Sequence, residues 1–441
     1  MSSARRPGFG RNMKMQPYNR PAAAITLSLL STFALGGTLA DAASAQSVTY
    51  SEAFTVFADL PLSNLGTAVA GGRDQNGDGV PDPLVGNVGI VGQGATTGNA
   101  RIVSGVDGST LVRVQTTAAL DGYATTLDAI DYNGDGIDDL LVGAPTRDVG
   151  TIDSAGFISV YSGVDGSVLF DRNGTLKDGL FGSDVASLGD LDGDGNEEFI
   201  VGAPGANNAA YVFSGGTGQV RFTLERAGVG RVGETVSSAG DVNGDSVADL
   251  IVGDGNRDSA SVFSGSDGSL LYVVDPGVSP TGNVEQIAPL GDFNGDGFDD
   301  FAMGQVLYSG IDGAVITTLS TIRNSSLEVI GDLNFDGVAD LLSSSPGGPT
   351  DSGSVIVTSG ADNSILVELM GDAGDQFGTS VANAGDLNGD GIDDIIVGAT
   401  DGGDFDRGYL RVYYSTVVPE PAALALPMVG LLALRRRRVG S

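Results

Sequence analysis

The sequence predicts an all-β protein, a closed seven-bladed β-propeller of four-stranded antiparallel blades. Three observations predict it. An acidic stretch recurs seven times, as "DQNGDGVPD" at 74, "DYNGDGIDD" at 131, "DLDGDGNEE" at 190, "DVNGDSVAD" at 241, "DFNGDGFDD" at 292, "DLNFDGVAD" at 332 and "DLNGDGIDD" at 386. The spacings are 57, 59, 51, 51, 40 and 54 residues, a period that belongs to repeat architectures. A second signal keeps step with the first: "VSGVDGSTL" at 103, "YSGVDGSVL" at 161, "FSGGTGQVR" at 213, "FSGSDGSLL" at 263, "YSGIDGAVI" at 308 and "TSGADNSIL" at 358. Each of these sets a Gly/Asp-rich turn between short apolar-alternating runs, the mark of a β-hairpin. No long 3.6-residue periodicity lies between the copies, so helices are not the repeating element.

The N-terminal element, residues 1–45, reads as a secretory signal peptide. Arg5, Arg6, Arg11, Lys14 and Arg20 precede the apolar run "AAAITLSLLSTFALGG" and the small-residue stretch "ADAASAQ". That order places cleavage after Ala42 or Ala45.

Residues 46–417 form the propeller, and residues 182–224 show one unit. "SDVASLG" is a strand, followed by the acidic loop, "FIVGAP", "AAYVFSG" and "QVRFTL". Four antiparallel strands in about fifty residues make a blade. After the last acidic loop only "DIIVG" and "YLRVYYS" follow, so the seventh unit lacks its fourth strand. "SVTYSEAFTVFA" (47–58) stands ahead of the first unit with no partner of its own. Its expected place, over 47–57, is the outer strand of blade 7, which closes the ring and leaves no open gap between first and last blades.

The C-terminal element, 418–441, combines Pro419-Glu420-Pro421, an apolar segment from Ala422 to Leu434 interrupted by Pro427, and four arginines. Thirteen apolar residues are short for a stable membrane span. The arrangement resembles the PEP-CTERM sorting signal of bacterial exported proteins. That resemblance implies processing by exosortase-type machinery, with membrane contact only transient and through the tail.

Composition narrows the chemistry. The chain of 441 residues carries 56 acidic against 22 basic side chains, a formal charge of −34, and has no His, Cys or Trp. Nucleic acid is excluded as a partner by repulsion from its phosphates. Ser-His-Asp and Cys-His nucleophiles, thiolate chemistry and ordinary zinc sites are excluded by residue type. Hard oxygen ligands remain, and these suit Ca²⁺ or Mg²⁺.

Numbered from its first Asp, each acidic loop offers oxygen side chains at positions 1, 3, 5 and 9. These are Asp74, Asn76, Asp78 and Asp82; Asp131, Asn133, Asp135 and Asp139; Asp190, Asp192, Asp194 and Glu198; Asp241, Asn243, Asp245 and Asp249; Asp292, Asn294, Asp296 and Asp300; Asp332, Asn334, Asp336 and Asp340; and Asp386, Asn388, Asp390 and Asp394. Gly usually stands at position 6 for a sharp turn, and the position 7 carbonyl is a further donor. Five protein oxygens and water fit Ca²⁺, several per chain. Without a cation, the carboxylates would repel by on the order of 1 kcal/mol per close solvated pair. An EF-hand would carry a bidentate Glu at position 12. Here that position holds Val85, Val142, Val201, Val252, Met303, Ser343 and Val397, so the loop runs into a strand. Ser246 at position 6 of the fourth loop and Phe335 at position 4 of the sixth replace glycines.

"FGSDVASLGDLDGDGNEEFIVGAP" (181–204) and "FGTSVANAGDLNGDGIDDIIVGAT" (377–400) are similar to the FG-GAP repeats of the integrin α-subunit propeller, and "VGAP" recurs at 142–145. The resemblance extends over about 60–415. It implies that the loops join two strands of each blade and hold Ca²⁺ on one face of the disc. The expected role is non-enzymatic binding at the cell surface or in the extracellular matrix, toward a protein or polysaccharide ligand. The connectors at 86–100 and 147–156 offer a recognition surface. A polysaccharide hydrolase or lyase using Asp, Glu, Tyr and Arg, and a structural component of a surface layer, are the alternatives.

Overall fold

The computed structural model describes residues 47–418 apart from 60–62, 89–97, 117–121, 227–229, 256–258, 276–285, 322–324, 348–351 and 404–406. The signal-peptide reading of 1–45, the PEP-CTERM-like segment after Val418 and most of the 86–100 connector lie outside the described residues. The regular elements are strands, arranged as seven four-stranded antiparallel sheets. In blades 1 to 6 the four strands follow one another in the chain. The unit read at 182–224 has its strands at Val185–Gly189, Glu198–Ala203, Ala209–Phe213 and Val220–Glu225. Blade 5 is the shortest, with only Gly304 and Gln305 between its second and third strands.

The seventh blade is built from both ends of the chain. Phe377–Gly385, Asp394–Ala399 and Tyr409–Val418 supply its first three strands, and Ser47–Phe57 is the fourth. The N-terminal strand pairs antiparallel with Tyr409–Val418, from Ser47 opposite Val418 to Phe57 opposite Tyr409. The expected closure is therefore the observed one.

Second strands are buried throughout, as in Asp139–Ala144, Glu198–Ala203 and Asp394–Ala399, because a neighbouring blade covers each face. Outer strands alternate, as in Thr110–Gln115, where Val112 and Val114 point inward and their neighbours meet solvent. This is why second strands read as unbroken apolar runs and outer strands as period-two patterns. The core is accordingly divided by seam. Leu84, Ile102 and Val112 of blade 1 pack with Leu127, Leu140 and Val142 of blade 2. Val85 and Leu65 of blade 1 pack with Ile396 and Val412 of blade 7, so the closing seam is as apolar as the others.

The Phe-Gly and Gly-Ala-Pro pairs meet across seams. Gly182 and Gly233 open the first strands of blades 3 and 4 with φ of 87° and 89°. A Cβ on Gly202 of blade 3 would lie 2.1 Å from the Gly233 carbonyl oxygen, and one on Gly143 of blade 2 would lie 2.5 Å from that of Gly182. Ser183 Oγ donates to Gly233 O at 3.1 Å, and Ser380 Oγ donates to Gly66 O at 2.9 Å. The last of these joins blade 7 to blade 1. The glycine that follows Phe181, Val232 or Leu65 at the head of one blade and the Gly-Ala segment of the blade before it are thus the halves of one inter-blade contact, which needs bare backbone on both sides.

Candidate metal centre

All seven acidic loops link the first and second strands of their blades, and therefore share one face of the disc. Each loop is folded by its own carboxylates. Asp190 at position 1 accepts from the backbone N–H groups of Gly193, Asp194 and Gly195 at 2.7, 3.1 and 2.9 Å. Asp74, Asp241 and Asp386 accept the same three bonds in their loops. Asp131, Asp292 and Asp332 accept from positions 5 and 6. These N–H bonds, Gly79 first, hold the Asp74 carboxyl below its ordinary range. At position 3, the side-chain oxygens of Asn76, Asn133, Asn243, Asn334 and Asn388 accept from the N–H of position 5. At position 5, Asp78, Asp135, Asp194, Asp245, Asp296, Asp336 and Asp390 each accept from the N–H of position 7 and remain exposed.

Position 9 differs. Asp82, Asp139, Glu198, Asp249, Asp300, Asp340 and Asp394 are all fully buried, because this residue is also at or near the start of the second strand. One oxygen reaches back into the loop, as in Leu191 N–H to Glu198 at 2.7 Å and Leu387 N–H to Asp394 at 2.8 Å. In blades 1, 2, 4, 5 and 6 an oxygen also reaches the hairpin between strands three and four, and in blade 7, which has no such hairpin, it reaches the third strand. Gly105, Gly163, Gly265, Gly310 and Gly360 donate their N–H to Asp82, Asp139, Asp249, Asp300 and Asp340, and Ser415 does so to Asp394 in blade 7. This explains why the two sequence signals keep step: the Ser-Gly turn is the anchor of the acidic loop beside it. Burial pushes Asp139 and Asp340 up to about 7 and Asp249 and Asp394 up to about 6.

Position 8 carries a role that the sequence reading did not assign. Asp138 accepts from Arg73 N–H at 2.7 Å, Glu197 from Asp131 N–H at 3.1 Å, Asp299 from Asp241 N–H at 2.7 Å and Asp393 from Gly331 N–H at 3.1 Å. In each case the carboxylate of one blade caps the backbone beside the acidic loop of the blade before it. Arg73 adds ion pairs to Asp138 at 3.2 Å and Glu197 at 2.6 Å. The signal available for this was the doubled acid, "DD" or "EE", in four of the seven loops.

A hard divalent cation fits these residues. Asp190, Asp192 and Asp194 bring one carboxylate oxygen each to within 4.8 Å of one another, at the surface. Asp139 Oδ2 and Glu198 Oε1 are buried with no hydrogen-bond partner, a costly state for a carboxylate oxygen that a cation relieves. The two irregular loops keep the same geometry. Ser246 and Phe335 adopt φ of 67° and 60°, taking on the left-handed backbone that glycine holds at those positions elsewhere. The twenty-eight predicted ligand residues lie in seven similarly folded loops with position 9 inward, but among the described residues three carboxylates come together only at Asp190, Asp192 and Asp194, where Asp192 also pairs with Arg221 at 2.6 Å, and Asp131 at position 1 of the second loop is buried.

The FG-GAP repeat family model matches residues 123–161, 181–221 and 377–413, within blades 2, 3 and 7. Among curated proteins, the chain is 31% identical over 199 residues to integrin alpha-5 of Xenopus laevis, covering 40% of this chain and 19% of that protein. It is 29% identical over 222 residues to integrin alpha-V of Gallus gallus, covering 46% and 21%. It is 34% identical over 149 residues to integrin alpha-11 of Homo sapiens, covering 30% and 12%. The chain therefore spans about a fifth or less of the length of these relatives. Blades 1, 4, 5 and 6, which the family model does not match, carry the irregular loops and the short hairpin, yet form the same four-stranded sheets.

Proposed function

We propose that this chain is an exported, Ca²⁺-binding propeller that acts by binding rather than by turnover, attaching a bacterial cell surface or extracellular matrix to a protein or polysaccharide ligand. The supporting observation is the set of seven like oxygen cradles on one face of a disc similar to the propeller repeats of integrin α-subunits. In each loop the side chains at positions 1, 3 and 5, the position 7 carbonyl and the position 9 carboxylate would hold the ion. Bound Ca²⁺ supplies positive charge to a loop whose carboxylates otherwise repel. The chain's own groups do the positioning: loop amides fix positions 1 and 5 in every loop and position 3 in five of them, and in five blades the hairpin turn fixes the buried ligand.

Ligand recognition is assigned to the opposite face, where the connectors between second and third strands emerge. There the 145–156 connector is an ordered structure. Val149 and Ile152 bond to each other, Asp178 N–H donates to Asp153 O at 2.9 Å, and Arg147 lies 4.0 Å from the centre of the Phe157 ring. Export through 1–45 and exosortase-type processing of 418–441 complete the reading. The test combines calorimetry with attachment. Calcium titration of the chain 46–417 should give several sites in the weak extracellular range, roughly 10⁻⁴ to 10⁻³ M, and chelation should lower the melting temperature. Asp390→Ala should remove one site only. Calcium-dependent retention on extracellular matrix of the producing cells, without hydrolysis of a polysaccharide panel, supports the reading; turnover abolished by a change outside the seven loops refutes it.

A further inference from the structure

Six of the seven blades have a hairpin between strands three and four; five of these hairpins make one contact with the preceding blade near the outer edge of the acidic-loop face, and that of blade 6 lacks it. In five seams an outer-strand side chain lies against the left-handed glycine of the next blade's hairpin: Phe54 against Gly108, Val112 against Gly166, Phe170 against Gly218, Phe222 against Gly268 and Tyr272 against Gly313. The fit is tight, since a Cβ added to Gly268 would lie 2.7 Å from the Phe222 ring. Between blades 5 and 6 both partners change. Strand register places Thr317 opposite Leu307, as it places Tyr272 opposite Val262 and Phe222 opposite Val212. Asn363, with φ of 61°, takes the place of the glycine. Its side chain is turned aside by Thr321 Oγ1 at 2.6 Å and Ser320 Oγ at 3.3 Å.

The consequence is a cleft of about 450 Å³ where those five seams are filled. Its walls are Phe293, Ile316, Leu319 and Val338, with Asp362 at the mouth. The volume is that of a ligand pocket, roughly 300–1,000 Å³. In four of the five filled seams the group at this place is an aromatic ring, so the walls are shaped by the same repeat that elsewhere encloses one. The exposed Asp362 carboxylate, on a chain with a formal charge of −34, makes the rim a site for positive charge.

We propose that the cleft between blades 5 and 6 receives an aromatic side chain flanked by Lys or Arg on a partner polypeptide. The ring takes the place left by Thr317, and the neighbouring cation meets Asp362. The partner's being a polypeptide rests on the binding role proposed above; the pocket itself does not.

The probe is N-acetyl-Phe-Arg-amide, titrated into the Ca²⁺-saturated chain 46–417 by NMR or calorimetry. Saturable binding near about 1 mM is expected for a group of this size. N-acetyl-Gly-Arg-amide and N-acetyl-Phe-Glu-amide should each bind at least about fivefold more weakly, because each lacks one of the two contacts. Thr317→Phe supplies the ring from within and should weaken binding at least about tenfold, with the melting temperature unchanged or raised. Ala361→Trp blocks the mouth from the hairpin and keeps the test open if the first variant misfolds. Undiminished binding by either folded variant, or equal binding of the Gly-Arg and Phe-Arg probes, overturns the proposal. Loss of matrix attachment with the dipeptide result intact would instead count against the broader role.

Discussion

Gly163→Ala tests the link between the hairpin turns and the acidic loops. Gly163 is absent from the positive-φ glycines, so alanine meets no conformational objection there. The obstacle is contact: a Cβ would lie 1.9 Å from the Asp138 carbonyl oxygen, and an ordinary C···O approach is roughly 3.3 Å. The turn must retreat by about 1 Å or more, which breaks the 3.0 Å bond from Gly163 N–H to Asp139 Oδ1. A hydrogen bond to a charged group contributes about 1.5–3 kcal/mol. Asp139 Oδ2 already has no partner, so the loss strands a fully buried carboxylate, and the total should reach about 3–5 kcal/mol. Gly136→Ala is the control. Its φ is 82° and no atom lies within 4 Å of its Cβ position, leaving only the left-handed strain of about 1–2 kcal/mol. Urea unfolding of the metal-free variants, followed by circular dichroism because the chain has no Trp, compares the two. In an Asp139→Leu background, Gly163→Ala should lose the share of its cost that comes through the carboxylate. If Gly136→Ala were as destabilising as Gly163→Ala, or if the double variant showed no coupling, the anchoring role of position 9 would be refuted.

Removing residues 47–57 deprives blade 7 of its outer strand and takes Tyr50, Phe54 and Val56 out of the core, uncovering the apolar side chains they pack with; at about 1.5–3 kcal/mol per apolar side chain this approaches the whole stability of a domain. The shortened chain should aggregate or melt far below the parent, and a synthetic 47–57 peptide should restore it; an unchanged melting curve would contradict the closure argument. Gln75→Leu should stabilise by about 1–2 kcal/mol, because both amide atoms of Gln75 are buried without partners where the other loops place Tyr132, Leu191, Val242, Phe293, Leu333 and Leu387. A fall in the urea midpoint would show that Gln75 has a bonded role. Asp128 and Glu328 in the first strands of blades 2 and 6, and Asp184 just before that of blade 3, are pushed up by burial to about 6, 7 and 7 respectively. The folded chain then binds more protons than the unfolded chain between their ordinary values and about pH 7, so stability should fall as pH rises through 6 to 7. Metal-free protein should melt higher at pH 5 than at pH 8, with a smaller difference in Asp184→Asn; the opposite slope would refute this.

Much of this was legible because a propeller writes its blades as a local pattern. The acidic loop, the Ser-Gly turn and the unpaired 47–57 segment all lie within one repeat length of their partners or at the chain ends, and strand number and closure follow from them. What escaped was the physics between blades. Asp138, Glu197, Asp299 and Asp393 looked like surplus charge beside a ligand set, since the N–H groups they cap lie 58 to 66 residues away. The second duty of position 9 was hidden similarly, because a carboxylate that begins a strand reads in sequence only as the end of a loop. Thr317 and Asn363 are ordinary residues in isolation; their meaning appears only when register sets them beside five aromatic or aliphatic side chains packed on glycine.

The closing strand also decides how the disc carries load. Ser47 stands opposite Val418, so the two ends of the propeller lie side by side. Pairing of the Tyr409–Val418 strand with its inner neighbour stops at Tyr413, whereas pairing with Ser47–Phe57 continues to Val418. Tension applied at Val418 by a tether is therefore met first by the N-terminal strand, through the pairs from Ser47 to Ser51. Pulling the two ends apart opens those pairs one at a time, as a zipper opens, at low force. Pulling Val418 along the strand axis against the body of the disc loads them together in shear, at a much higher one. The direction of the tether, more than the number of bonds, sets how hard the disc can be pulled before its clasp gives way.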